Sequence, residues 1–297
     1  MVVPEICRRG LLTLSKLTVK PKPVRQYSEQ VTKDLIFKKL KGDDAGVVTI
    51  GLKRPQQKNA ISMNLLDELV RTVDKICYDN VARVVVIHSL APGAFCAGAD
   101  LKERADLTLK EVCNFVTNLR NFTKRIHDLP IPVIAALDGV ALGGGLELAL
   151  ACDIRIAATN AKMGLVETKL AIMPGAGGTQ FLSRIVGPAI AKELIFTARV
   201  LDAKAAQQLG LVNHVVEQNE IGNAAYLRSV ELAEEILPNG PLGIRMAKKA
   251  INRGIEVDLD SGLVVEEACY AQLIPTKDRT EGLQAFNEKR KPVYLGY

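Results

Sequence analysis

Two glutamates, each beside a run of glycines, are the residues of this chain best equipped for chemistry. The first, Glu147, follows Gly143-Gly144-Gly145-Leu146. An apolar run, Ala136-Leu137, enters these glycines through Asp138-Gly139-Val140-Ala141-Leu142, and an apolar helix-type run leaves them. Glycines permit a tight turn and let a ligand approach the backbone. The first turn of a helix offers unpaired N–H groups and the positive end of the helix dipole, so an oxyanion forming there is stabilised. Residues 146–152 are otherwise apolar, which predicts burial of Glu147. Burying a carboxylate costs on the order of several kcal/mol unless it is paired or neutralised. A glutamate in a first helical turn also has a purely structural use, worth up to about 1 kcal/mol. The apolar surroundings and the glycines favour chemistry here.

The second acid, Glu167, ends Met163-Gly164-Leu165-Val166-Glu167 and precedes Pro174-Gly175-Ala176-Gly177-Gly178-Thr179-Gln180. The 19 residues between the two glutamates hold one helix, a return strand and a turn, which permits both carboxyl groups to face one cleft. Taken alone, Glu167 reads more often as a surface acid. A third stretch, Pro92-Gly93-Ala94-Phe95-Cys96-Ala97-Gly98-Ala99-Asp100, has small residues that let a backbone N–H meet a ligand closely, and Asp100 is placed to cap the next helix.

The elements that must position these residues alternate. Short β-type runs occur at 47–52, 84–88, 132–136, 153–157 and 211–216. Between them, 63–77 places Leu65, Leu66, Leu69, Val73 and Ile76 at helical spacing, and 109–126 is a second amphipathic stretch. Strands alternating with helices predict an α/β class. After about residue 225 the texture turns helical: 225–237, 242–253, 261–273 and 276–289, broken at Pro238-Asn239-Gly240-Pro241 and Arg253-Gly254. That tail is expected to pack on neighbouring subunits or to cap its own core.

In their order and spacing, the segments Phe95–Asp100, Gly143–Glu147, Met163–Glu167 and Pro174–Gln180 resemble the enoyl-CoA hydratase/isomerase (crotonase) superfamily over about residues 33–297. The resemblance implies a spiral of ββα units over 33–225 and a helical trimerisation region over 226–297. It implies a homohexamer built as a dimer of trimers. It further implies that the N–H groups of Ala99 and Gly144 hold a thioester oxygen. Ala97, Ala99 and Leu101 would line the adenine pocket of coenzyme A, Lys58 would start the first CoA-binding loop, and Phe286 and Lys289 would reach the CoA of a neighbouring subunit. In the hydratase pattern Glu147 acts as base on water and Glu167 delivers a proton to the α-carbon. The substrate is then an acyl-CoA thioester, with no cofactor beyond the coenzyme A that it carries. Within the family, 99–104, 164–170, 266–272 and 274–279 look most like members that convert 3-methylglutaconyl-CoA to 3-hydroxy-3-methylglutaryl-CoA in mitochondrial leucine breakdown. The alternative is a general short-chain enoyl-CoA hydratase or a related mitochondrial hydratase-domain protein. Phe181 departs from the Arg that many relatives carry after Gly-Thr-Gln, which bears on recognition of an acidic acyl group.

Composition narrows the classes. Of the net +6 charge, residues 1–28 supply +5: Arg8, Arg9, Lys16, Lys20, Lys22 and Arg25 against Glu5. The body is therefore near neutral. The basic balance predicts a mitochondrial presequence over 1–30, with a cleavage-like Arg25-Gln26-Tyr27-Ser28, and hence a matrix location. No apolar run reaches about 18 residues, so no membrane span is expected. The six cysteines form no Cys-x-x-Cys, and the three histidines are far apart, so neither a disulfide framework nor a metal site is expected. RNA binding, which occurs in the family on a lysine-rich helix, is disfavoured. The corresponding helix, 63–79, holds Arg71 and Lys75 against Asp67, Glu68, Asp74 and Asp79. The basic clusters at 37–41 and 248–249 read as solvated faces. Isomerases of the family often keep only the second acid, so the pair favours hydration. A dinucleotide oxidoreductase is disfavoured because neither glycine run gives Gly-x-Gly-x-x-Gly between strand and helix.

Overall fold

The computed structural model describes residues 27–297; the leader expected over 1–30 lies outside them except for its last residues, which here begin a strand. The described residues open with β1 (Tyr27–Val31), β2 (Leu35–Leu40) and β3 (Val47–Leu52), then α1 (Met63–Cys77). Three β–β–helix units follow. The first is β4 (Val84–Ser89), β5 (Ala94–Cys96), α2 (Leu101–Ala105) and α3 (Leu109–Asp128). The second is β6 (Val133–Leu137), β7 (Val140–Leu142) and α4 (Gly144–Ala151). The third is β8 (Ile154–Ala158), β9 (Lys162–Gly164), α5 (Gly178–Val186) and α6 (Pro188–Phe196). Then come β10 (Leu201–Asp202), α7 (Ala203–Gln208) and β11 (His214–Val216). Four helices close the chain: α8 (Ala224–Ile236), α9 (Pro241–Gly254), α10 (Leu259–Ala271) and α11 (Lys277–Asn287).

The first strand of each unit joins one sheet, ordered β1-β2-β3-β4-β6-β8-β11, and the second joins another, ordered β10-β9-β7-β5. From β3 to β11 the large sheet is parallel. Parallel strands are covered on both faces, which explains the near-continuous apolar runs at 84–88 and 133–137. Their alternate residues serve two cores. Val85, Ile87, Val133, Ala135 and Leu137 face α1, α3 and α4, while Val84, Val86, Ile134 and Ala136 face Ala225, Val230 and Ala233 of α8. Each successive unit thus lays a strand beside the last and returns its glycine turn to the same end of the stack.

Local signals set the helix starts. Ser62 caps α1, Thr108 and Glu111 form a capping box on α3, and Asp100 caps α2 by accepting from the Glu103 N–H. Helix α8 is capped from a distance. Asp138, in the turn between β6 and β7, accepts from the N–H groups of Ala225 (2.7 Å) and Tyr226 (3.0 Å). The boundary expected near 225 therefore shifts: α8 covers the back of the parallel sheet, and the outlying region starts at α9. Lys248 ties α9 to the body through the Asp153 carboxylate (2.7 Å) and the Ile131 carbonyl (3.0 Å).

Among the described residues no helix is long and apolar enough to cross a membrane, and no group of three or more His, Cys, Asp or Glu is placed to hold a metal ion.

Candidate active site

Every residue of α4 is buried, so Glu147 sits in the protein interior with only 2% of its surface exposed. Its Oε1 accepts two hydrogen bonds, from the N–H groups of Ala176 (2.8 Å) and Gly178 (2.8 Å). The Gly-rich stretch before α5 is therefore a cradle for this carboxylate. Burial raises the Glu147 pKa to about 7; the two N–H donors oppose that rise, the Glu167 charge adds to it, and the Arg120 charge opposes it.

Glu167 opens a short 3-10 turn, Glu167–Leu170, after β9. Both its oxygens are buried, and neither has a hydrogen-bond donor among the described residues. Desolvation raises its pKa too. A β-carbon on Gly143 would lie 3.2 Å from Glu167 Oε1, which places this carboxyl at the mouth of α4. Two carboxyl groups in one dry site resist double ionisation, so one proton shared between an acid and a base is the favoured state near neutrality.

The backbone donors lie beside them. Residues 98–100 pair with Ile61: the Ile61 N–H donates to the Gly98 carbonyl (2.7 Å), and the Asp100 N–H donates to the Ile61 carbonyl (3.0 Å). In such a bridge the intervening residue's own N–H points the other way. The Ala99 N–H accordingly faces the start of α4, where a β-carbon on Gly144 would come within 3.7 Å of the Ala99 nitrogen. Neither the Ala99 nor the Gly144 N–H finds an acceptor among the described residues. Gly98 is required for this geometry, since its φ of +99° is left-handed and a β-carbon would sit 2.9 Å from the Leu142 carbonyl oxygen. Gly145 is required for another reason: a β-carbon there would fall 2.2 Å from the Cys96 carbonyl oxygen, so only glycine lets α4 start against β5.

The structure thus brings Ala99, Gly144, Glu147 and Glu167 together. Lys58 and Ala97 adjoin them, because the Ala97 N–H donates to the Lys58 carbonyl (3.0 Å). Leu101 begins α2 with 52% of its surface exposed. Phe286 and Lys289 are exposed on and just past α11, which is fastened to the C-terminal tail through Asp278, Leu295 and Gly296. Asp100 also takes an ion pair from Arg54 (3.1 Å), joining the loop before α1 to residues 98–100.

Sequence reasoning assigned no role to the Ala176 and Gly178 amides, nor to Arg120 and Thr123 on α3. The Arg120 guanidinium donates to the Gly175 carbonyl (2.9 Å), and the Thr123 hydroxyl donates to the Ala176 carbonyl (2.6 Å). Their i, i+3 spacing on the helix face that meets residues 175–178 was the available signal. Phe181 packs on Gly177 and stacks against His127 with ring centroids 5.4 Å apart.

The chain is similar to several known proteins. The family model described as Enoyl-CoA hydratase/isomerase matches residues 42–296. The human protein named mitochondrial methylglutaconyl-CoA hydratase is 57% identical over 278 residues, covering 93% of this chain and 82% of that protein. The mouse protein named mitochondrial enoyl-CoA hydratase domain-containing protein 2 is 52% identical, covering 89% of this chain and 90% of that one. The crystal structure of an enoyl-CoA hydratase from Bacillus anthracis superposes with a TM-score of 0.83 at 46% identity, covering 91% of this chain and 99% of that one.

Proposed function

Because this chain belongs to the enoyl-CoA hydratase/isomerase family, we propose that it adds water across the double bond of 3-methylglutaconyl-CoA, giving 3-hydroxy-3-methylglutaryl-CoA. The observation that carries this reading is the pair of buried carboxyl groups, Glu147 and Glu167, beside the two unpaired amides of Ala99 and Gly144.

In the proposed mechanism the thioester oxygen accepts from the Ala99 and Gly144 N–H groups, which draws electron density from the β-carbon. Ionised Glu147 removes a proton from water as its oxygen bonds to that carbon. The π electrons move to the α-carbon as an enolate whose charge rests on the held oxygen. Protonated Glu167 delivers its proton to the α-carbon, and proton exchange with solvent restores both carboxyl groups. Each backbone donor of this kind is worth about 100- to 1000-fold in rate. All acid and base steps fall to the chain's own groups, so coenzyme A enters only as part of the substrate. Ala97, Ala99 and Leu101 are assigned to its adenine, Lys58 to the start of the first CoA-binding loop, and Phe286 and Lys289 to the coenzyme A of a neighbouring subunit.

The choice of acyl group rests on the human relative's 57% identity, and the enzyme-domain relative at 52% supports a broader short-chain hydratase as the second reading. An RNA-binding role gains no support from α1, whose Arg71 is paired with Asp67 (2.6 Å) and whose Lys75 is bonded to Gln30 (2.9 Å). We place the protein in the mitochondrial matrix on the basic leader and the mitochondrial names of its relatives. We also propose a dimer of trimers, supported by the apolar surface that α9–α11 leave uncovered in one chain.

Purified protein is tested with 3-methylglutaconyl-CoA and crotonyl-CoA, following loss of the enoyl absorbance. Preference for the branched substrate is expected. Glu147→Gln and Glu167→Gln should each lower turnover by about 100- to 10,000-fold, the span typical of a lost general acid or base. Their binding of a CoA ester should persist. Full turnover in either variant overturns the mechanism.

A further inference from the structure

One peptide unit links an exposed cation to the buried carboxyl group. The Gly175 carbonyl and the Ala176 N–H belong to the same amide. That carbonyl accepts from Arg120 Nε at 2.9 Å, and that N–H donates to Glu147 Oε1 at 2.8 Å. The order is guanidinium, carbonyl, amide N–H, carboxylate. A cation at one end polarises the amide and strengthens the donor at the other. The next amide is held in the same way, by Thr123 on its carbonyl at 2.6 Å. Helix α3 also presses on this segment through Val116, which a β-carbon on Gly175 would meet at 2.8 Å.

Resting on the hydratase reading above, we propose that Arg120 is a positioning residue for the reaction, acting through the Gly175–Ala176 amide to hold the Glu147 carboxylate in its cradle and in its ionised form. The Gly178 and Ala176 N–H groups are the main donors that favour the ionised form, and among the described residues Arg120 is the one positive charge that adds to them. Glu167 is an acid and opposes it. From β5 the neighbour is the Cys96 thiol, which burial pushes up to about 12 and so keeps neutral. On α5, Arg184 is held by Glu256 at 2.8 Å; β7 carries no charged residue. Thr123 and the Gly178 N–H are uncharged donors.

The test compares the full-length protein with Arg120→Gln, Arg120→Lys and Thr123→Val. Two readouts are taken against pH: kcat/KM with crotonyl-CoA, and the infrared carboxyl band identified as Glu147 by its loss in Glu147→Gln. In Arg120→Gln both should move about one pH unit upward. Because the base must be ionised, kcat/KM then falls about tenfold near pH 6 and less than about twofold above about pH 8.5. Arg120→Lys should recover most of the shift. Thr123→Val should leave the band in place, and in the wild type added salt should move it the same way as Arg120→Gln. An unshifted band in Arg120→Gln, or an equal loss of rate at every pH, overturns the inference. A shifted band in a protein whose wild type hydrates no enoyl thioester would sink the hydratase reading alone.

Discussion

Glu147 carries a cost that its surroundings only partly offset. Burial lifts its pKa to about 7 from the ordinary 4.5, so between those values the folded protein holds a proton that the unfolded chain has released. Stability contributed by this site therefore falls as pH rises through that window, on the order of 3 kcal/mol in all. Glutamine keeps the shape and lacks the charge. In urea unfolding, the wild type should lose stability relative to Glu147→Gln between pH 5 and pH 8, and parallel curves for the two proteins would contradict the assignment. The pair of acids was legible as residue types beside glycines. The cradle was not, because its donors at 176 and 178 meet Glu147 only after β8 and β9 have returned the chain, and amide groups carry no side-chain signal. The Ala99 N–H was reached only through the family resemblance, because the bridge that frees it runs to Ile61, 38 residues away.

Elements with a strong period were readable and short ones were not. Helix α1 matches the span drawn from its apolar spacing, Met63–Cys77, and α3 runs two residues past the expected 126. Strands β5, β7 and β9 have three residues each, too few to show alternation, yet they form the second sheet that sets the glycine turns. Strand β2 was read as a basic cluster; its Phe37 and Leu40 face inward while Lys38 and Lys39 reach Glu29 and Asp79. Helix α8 looked like part of the tail because its anchor, Asp138, lies 87 residues upstream of Ala225. Asp138→Ala should leave the buried Ala225 N–H without its acceptor, remove that of the part-buried Tyr226 N–H, and cost about 2–4 kcal/mol of stability. Hydrogen exchange should show α8 losing protection first, whereas uniform loss over the whole chain would refute a local anchor.

At the scale of the molecule, the C-terminal third does not finish its own packing. Ile251, Leu259, Leu263, Val264, Tyr270 and Phe286 are exposed on α9, α10 and α11, and a cavity of about 980 Å³ opens between α9 and the ends of α3 and α5. This apolar surface is the one that the proposed dimer of trimers would cover. Sedimentation at low micromolar concentration should give a trimer or its double, and Leu263→Glu with Val264→Glu should dissociate it. A wild-type monomer would remove the assembly from the proposal. Length and composition told of one large body and a helical tail, whereas the face that the tail presents depends on how α9 docks through Lys248.

The bonds around Ile61 have a mechanical outcome. The Lys58 carbonyl, both backbone groups of Ile61 and the Arg54 guanidinium all fasten to residues 97–100. Residues 54–61 and the Ala99 amide are thus one bonded part, like jaw and anvil cut from a single casting. In the proposed mechanism a substitution that loosens the handle end of the substrate also misaligns the donor at its reactive end, so affinity and rate are expected to change together.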